Sequence, residues 1–295
     1  DGVEINPIAD RECVRMRTLE GRVQDPGIVG MFFTVDDCNG NPITNLTDAD
    51  FEVFEDDNLL VGAEAPRAVL NRDGLGVFVT LLLDMSASTT EHIAQVKAAA
   101  SAFVTELQVT RNLPVHISIE LFAGGESSTV WQPHFLDADT LLEKIATIDQ
   151  YEAPSPLRSN INGAVVNAIA NAETAAAAFR ERNRGGAFTA EYVLVFTDGY
   201  DNASLVDSQT AIDAAVMSTA QVIGIGLNSE VYRPDELAAL SEEAVSLAQD
   251  SSELSAQFVR LAQRIDLQSQ RVYALVYCTP SGAGELRASM SCGRR

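Results

Sequence analysis

Histidine is almost missing from this sequence: His92, His116 and His134 are the only three in 295 residues. No Ser-His-Asp order and no nucleophile elbow can be read around them, so acyl-transfer chemistry has no visible machinery. Basic charge is also scarce, with 20 lysines and arginines against 42 aspartates and glutamates, a net charge of -22 and a pI near 4.3. Such a surface repels phosphate backbones and anionic membranes, which sets nucleic acid aside as a partner. There is no apolar run of the roughly 18 residues that a membrane-spanning helix needs. There is no phosphate-binding loop either: "GIGLNS" at 224–229 contains a GxG but no third glycine and reads as a close-packed strand exit. What remains is an acidic chain suited to solubility and cation binding, the plain alternative being a solvated acidic face.

The four cysteines, Cys13, Cys38, Cys278 and Cys292, form no CxxC pair and sit near the two ends of the chain. An even number so placed suggests disulfides and an oxidising compartment, with four buried thiols as the alternative. If Asp25-Pro26-Gly27 is a turn between two strands, the partner of Cys13 falls near position 38, since 13 and 38 are equidistant from 25.5, which favours a Cys13–Cys38 pair. Cys278 and Cys292 are then left for each other by elimination, although a regular hairpin turning at 280–284 leaves them out of register. Sequons stand at Asn45-Leu46-Thr47 and Asn202-Ala203-Ser204. The sequence starts at Asp1, which fits a removed leader or a trimmed start.

The length allows two domains. Residues 1–72 carry short β-type runs broken by turn signals and read as a small all-β module. From 74 to 270 strands alternate with helices: strands at 77–83, 115–122, 192–196, 221–226 and 244–248, an edge strand in "SSTVWQ", and helices at 90–107, 138–149, 161–182, 207–219, 234–241 and 252–268. Nearly continuous Val, Leu and Ile in those strands is what a sheet covered on both faces requires. The expected fold is α/β, a doubly wound, mostly parallel six-stranded sheet. Residues 271–295 return to alternation and predict a β-hairpin. A lone hairpin is unstable, so it is expected on the amino-terminal module, giving a discontinuous β-domain of 1–72 and 271–295 with the α/β domain inserted. Packing of the hairpin on the α/β domain is the alternative.

Residues 77–92, "VFVTLLLDMSASTTEH", end an apolar strand on Asp84 and follow it with Ser86 and Ser88. A second strand delivers Thr197, Asp198 and Gly199 into a turn, and between them "SPLRSNINGAVVNAI" supplies Ser159 just before a helix. In doubly wound sheets ligands gather at such carboxyl ends. Oxygen ligands without imidazole or thiolate suit a hard divalent cation, Mg2+, Ca2+ or Mn2+. Taken singly, serines cap helices and Asp-Gly makes turns; it is the three elements in this order that point to a site.

Asp84-Met85-Ser86-Ala87-Ser88, the Ser159 loop and Thr197-Asp198-Gly199 resemble the metal-ion-dependent adhesion site of von Willebrand factor type A domains, the fold shared by integrin I domains. The resemblance covers about two thirds of the chain. It implies that Ser86 and Ser88 ligate the metal directly, and Asp84 and Asp198 directly or through water. Ser159 stands where the family usually has threonine. It also implies that an acidic side chain of a partner completes the coordination sphere. The stretch "VDDCNGNPITNLTDADFEVFEDD" resembles immunoglobulin-like segments that precede such domains in secreted or surface bacterial proteins, which implies export, as a secreted protein or a lipoprotein anchored to the cell surface or outer membrane upstream of Asp1.

Other residues have plainer readings. His116 lies in an apolar strand and is expected as a core residue; His92 is expected on a helix surface. The acidic cluster Asp48, Asp50, Glu52, Glu55, Asp56 and Asp57 is expected as a solvated strand face and turn. Tyr200, Tyr151 and Asn160 are the candidate ligand-binding rim, and Trp131 is as readily a core residue. The expectation is a non-enzymatic adhesion or ligand-binding protein that uses a divalent cation to hold an acidic group of a partner. The alternative is an assembly or scaffold subunit with a structural or vestigial metal site.

Overall fold

The computed structural model describes residues 13–24, 28–55, 58–60, 67–71, 75–110, 114–183, 187–229, 232–241, 245–278 and 288–292. The expected turns at 25–27 and 280–284, the boundary at 72–74, and Asp56 and Asp57 lie outside them. The chain begins with β1 (Val14–Gln24), β2 (Ile28–Asp37), β3 (Phe51–Glu55), β4 (Asn58–Leu59) and β5 (Arg67–Asn71). It continues through β6 (Leu75–Asp84), α1 (Ala87–Thr90), α2 (Ile93–Val104), β7 (Val115–Phe122), β8 (Thr129–Phe135), α3 (Ala138–Ala146) and α4 (Ile161–Arg182). Then come β9 (Phe188–Thr197), α5 (Ser208–Met217), β10 (Ala220–Leu227), α6 (Pro234–Leu240), β11 (Ser246–Ala248), α7 (Leu254–Gln270), β12 (Val272–Cys278) and β13 (Ala288–Cys292). Two compact units result, one of Asp1–Leu75 with Leu267–Arg295 and one of Gly76–Asp266.

In the first unit two sheets, ordered β1-β2-β12-β5 and β13-β3-β4, share one core. Alternate residues point inward, so that Phe33 of β2, Phe51 of β3 and Tyr273 of β12 meet with ring centroids 5.3 to 6.1 Å apart. Each such burial contributes about 1.5–3 kcal/mol. The Tyr273 hydroxyl is also satisfied, donating to the Ile43 carbonyl at 2.8 Å. Glu52 alternates outward between buried Phe51 and Val53, and Asp50 caps a 3-10 turn by accepting from the Thr47 amide at 2.8 Å. These parts of the acidic cluster are therefore a solvated strand face and a cap.

The carboxy-terminal hairpin is a correction. β12 pairs with β2 on one side and β5 on the other, which leaves it no free edge, and β13 pairs with β3 in the other sheet. The Cys13–Cys38 disulfide forms, with a Cα–Cα distance of 5.1 Å. Its register has an unforeseen origin: Gln24 faces Ile28, and a bulge between Thr18 and Glu20 shifts the pairing so that Val14 faces Asp37 and the cysteines follow. The side chains of Cys278 and Cys292, and so their expected pairing, lie outside the described residues.

The second unit holds a six-stranded sheet in the order β11-β10-β9-β6-β7-β8. β6 runs parallel to β7, β9 to β10 and β10 to β11, while β8 closes one edge antiparallel to β7. Nine of the ten residues of β6 are buried, as a central strand covered on both faces requires. From β6 the chain builds outward to β7 and β8, then crosses to β9 and builds the other way. The carboxyl ends of β6 and β9 thus flank the point where strand order reverses.

Candidate metal centre

Asp84 is the last residue of β6 and Thr197 the last of β9, so adjacent strands deliver one carboxyl and one hydroxyl side by side. Asp84 has no solvent exposure. It accepts hydrogen bonds from the Thr197 hydroxyl at 2.7 Å, the Ser159 hydroxyl at 3.0 Å and the Ser86 amide at 2.8 Å. Asp198, also buried, accepts from the Ser88 and Thr89 hydroxyls, each at 3.0 Å. The Ser86 hydroxyl lies 3.3 Å from those of Ser88 and Thr89. Ser86 occupies the N-cap of α1, yet its side chain makes no capping bond. Its hydroxyl is turned to the cluster rather than spent on the helix.

The structure therefore brings Asp84, Ser86, Ser88, Ser159 and Asp198 together. The carboxyls lie behind, and Ser86, Ser88 and Ser159 line a cleft of about 280 Å3 that opens at the sheet edge. Burial pushes the Asp84 carboxyl up from 3.8 to about 6, against the lowering by its hydrogen bonds from Thr197 and Ser86, with the Asp198 charge adding to the rise. Among the described residues no lysine or arginine pairs with either carboxyl. Two buried carboxyls joined by hydroxyls and lacking a protein cation form a donor set for a hard ion. The spacing fits: bonds of about 2.1 to 2.4 Å put adjacent octahedral ligands about 3.0 to 3.4 Å apart, and the Ser88 hydroxyl lies 3.3 Å from that of Ser86 and 3.0 Å from an Asp198 oxygen.

Of the expected rim, Tyr200 lines the cleft, and the Arg233 guanidinium lies over its ring at 5.4 Å from the centroid. Asn160 does not line it. That side chain is buried, accepts from the Gly163 amide at the start of α4 and donates to the Gly125 carbonyl at 2.8 Å, so its amide is spent on the loop. Tyr151 packs edge-on against Trp131, whose indole donates to the Lys144 carbonyl at 3.1 Å, away from the cleft lining. His116 is half-buried rather than a full core residue, and stacks on Phe78 with centroids 4.6 Å apart. His134 is half-buried near it, and desolvation, then the His116 charge, pushes its imidazole down to about 4. His92 is the N-cap residue of α2.

Three site residues escaped the sequence reading. Thr89 lies one helical turn beyond Ser86, a signal that was there to be used. Asn202 accepts the Ser159 amide at 2.7 Å and returns its own amide to the Ser159 carbonyl at 3.1 Å, which fixes the hydroxyl loop. Asp201 accepts from the Asn162 amide at 2.9 Å. Both of these join loops some forty residues apart, and no local pattern announces that.

The fold and this oxygen-lined edge define the class: the chain has the fold of a von Willebrand factor type A protein. It overlays a von Willebrand factor type A structure from Catenulispora acidiphila with a TM-score of 0.52, at 12% identity, over 96% of this chain and 70% of that one. Proximal thread matrix protein 1 from the mussel byssus is also similar, at 18% identity and TM-score 0.49, over 66% of this chain; the chain spans 48% of that protein's length. The pilus adhesin SpaC from Lactobacillus rhamnosus GG overlays at 12% identity and TM-score 0.49, over 86% of this chain and 34% of its own. No family model and no curated protein matches the chain.

Proposed function

We propose that this is an exported, non-enzymatic binding protein that holds a divalent cation through Asp84, Ser86, Ser88, Ser159 and Asp198 and captures an acidic group of a protein partner. One observation carries the reading: two buried carboxyls, Asp84 accepting from the Ser159 and Thr197 hydroxyls and Asp198 from those of Ser88 and Thr89, lie beneath an open cleft and have no cationic partner among the described residues. When bound, the ion supplies an open Lewis-acidic position that attracts an external carboxylate. The chain's own part is to orient the hydroxyls, to keep Asp84 and Asp198 behind them and to exclude water from Asp84. Mg2+ is the ion favoured, since few direct ligands suit a cation that keeps its waters; Ca2+ and Mn2+ are the alternatives. The disulfide in the first unit supports an oxidising, extracellular setting, and that two-sheet unit is read as an immunoglobulin-like stalk.

A carboxylated dextran surface tests the reading. A protein of net charge -22 is repelled by it unless a specific site intervenes. Retention in Mg2+ that is lost in chelator, and lost in a Ser86→Ala/Ser88→Ala variant kept in Mg2+, is the expected result. Equal retention of the variant would sink the proposal. A second reading, a scaffold subunit with a vestigial site, is favoured by the way Ser159, Thr197, Ser88 and Thr89 already satisfy both carboxyls. It predicts that partner association survives that double substitution.

A further inference from the structure

The cleft has a second wall that ion binding does not use. Leu157 and Arg158 line it, on the segment between α3 and α4. That segment is pinned: the Ala87 amide donates to the Pro156 carbonyl at 2.7 Å, and the Arg158 amide to the Ser155 carbonyl at 2.9 Å. It is seated on two glycines. A Cβ at Gly124 would lie 2.6 Å from the Arg158 Cβ, and one at Gly125 would lie 2.6 Å from the Pro154 Cγ. Leu157 is nevertheless 84% exposed. The Arg158 guanidinium has no hydrogen bond or ion pair among the described residues. In a chain with 42 acidic residues, a guanidinium on a fixed backbone that finds no internal carboxylate is available to an external one. Across the cleft, Tyr200 is backed by Arg233.

We propose that Arg158 and Leu157 select the partner. The bound segment is an acidic peptide with two carboxylates, the first directed to the ion and the second clamped by Arg158, with an apolar side chain laid on Leu157. This rests on the metal reading above. The guanidinium is suited to the second contact because its planar fork meets a carboxylate through two parallel hydrogen bonds. An exposed leucine beside it favours a peptide over a free polyanion, since only the peptide brings apolar surface to cover it.

Blocked peptides distinguish the parts. One set carries a single aspartate among glycines; the other carries a second aspartate one to three residues on, with leucine between or beside. They are titrated by calorimetry into the intact chain in Mg2+ and in chelator, with Mg2+ alone titrated in parallel. The wild type is expected to bind the best two-acid peptide at least about tenfold more tightly than the one-acid peptide. Arg158→Gln should abolish that preference and leave Mg2+ binding unchanged, and Arg158→Lys should restore only part of it. Loss of preference together with loss of Mg2+ binding in Arg158→Gln would make the residue structural and overturn the proposal. So would a wild type that binds both sets equally or neither, or a preference that survives Arg158→Gln. Tighter binding of a phosphoserine peptide than of any two-acid peptide would also overturn it. Failure of Mg2+ itself to bind the wild type would remove the metal reading and this inference with it.

Discussion

Replacing Asp84 by asparagine should destroy metal binding and, without metal, make the protein more stable. Asp84 is fully buried, and its carboxyl is pushed from 3.8 to about 6 because ionisation in that position is poorly compensated. A group with a raised acid pKa binds more protons in the folded than in the unfolded chain between those two values. The folded state therefore loses stability as pH rises through that window, by about 3 kcal/mol for a shift of this size. Asparagine, close to isosteric and never charged, escapes that loss. His134 acts in the opposite sense: its imidazole is held neutral down to about 4, so its contribution grows as pH rises from about 4 to about 6.5. The two slopes nearly offset in the wild type, and only the difference between wild type and Asp84→Asn isolates the carboxyl. Denaturant unfolding in chelator should show that difference growing by about 2 kcal/mol in favour of the variant between about pH 4.5 and about pH 7.5, then levelling off. A variant less stable than wild type at the upper pH, or a difference that does not vary with pH, would refute the reasoning.

Because a bound cation needs Asp84 ionised, Mg2+ affinity should fall about tenfold for each pH unit below about 6, measured by calorimetry in buffers of matched ionic strength. Gly124→Ala would place a methyl 2.6 Å from the Arg158 Cβ and 2.8 Å from the Ser155 carbonyl oxygen, so the cleft wall must shift; a loss of about 1–3 kcal/mol is expected in denaturant unfolding. The Cys13–Cys38 bridge closes a loop with a sequence separation of 25. Cys13→Ser/Cys38→Ser should cost about 3–4 kcal/mol by loop-closure entropy, seen as earlier proteolysis of β1 and β2 with Mg2+ affinity unaltered.

The parts of this molecule that were legible in its sequence are those where one physical demand dominates. β6, β7, β9 and β10 sit in the sheet interior, so both faces must be apolar and the runs announce themselves. α4 spans Ile161–Arg182, bracketed by the Asn160 cap and basic residues in its last turn. Asp84, Ser86, Ser88, Ser159 and Asp198 converge because strand ends and helix starts fix them, and those positions can be read from periodicity. What could not be read depends on contacts between distant segments. The alternation of 272–278 and 288–292 satisfies one hairpin or two separate sheets equally well, and only the pairing of β12 on both edges decides. The same holds for Asn160, whose amide looks available in sequence but is spent on Gly125, and for Tyr151, drawn off by Trp131. Arg158 carries no motif; it stands out only once its guanidinium is seen to lack an internal partner.

The most direct test is calorimetric titration of the chelator-stripped chain with Mg2+, Ca2+ and Mn2+, repeated on Asp84→Ala and on Ser86→Ala/Ser88→Ala. The account predicts one saturable site per chain in the wild type and its loss in both variants, with the fold retained. Binding that persists in the variants, or a wild type that binds none of the three ions, would contradict it.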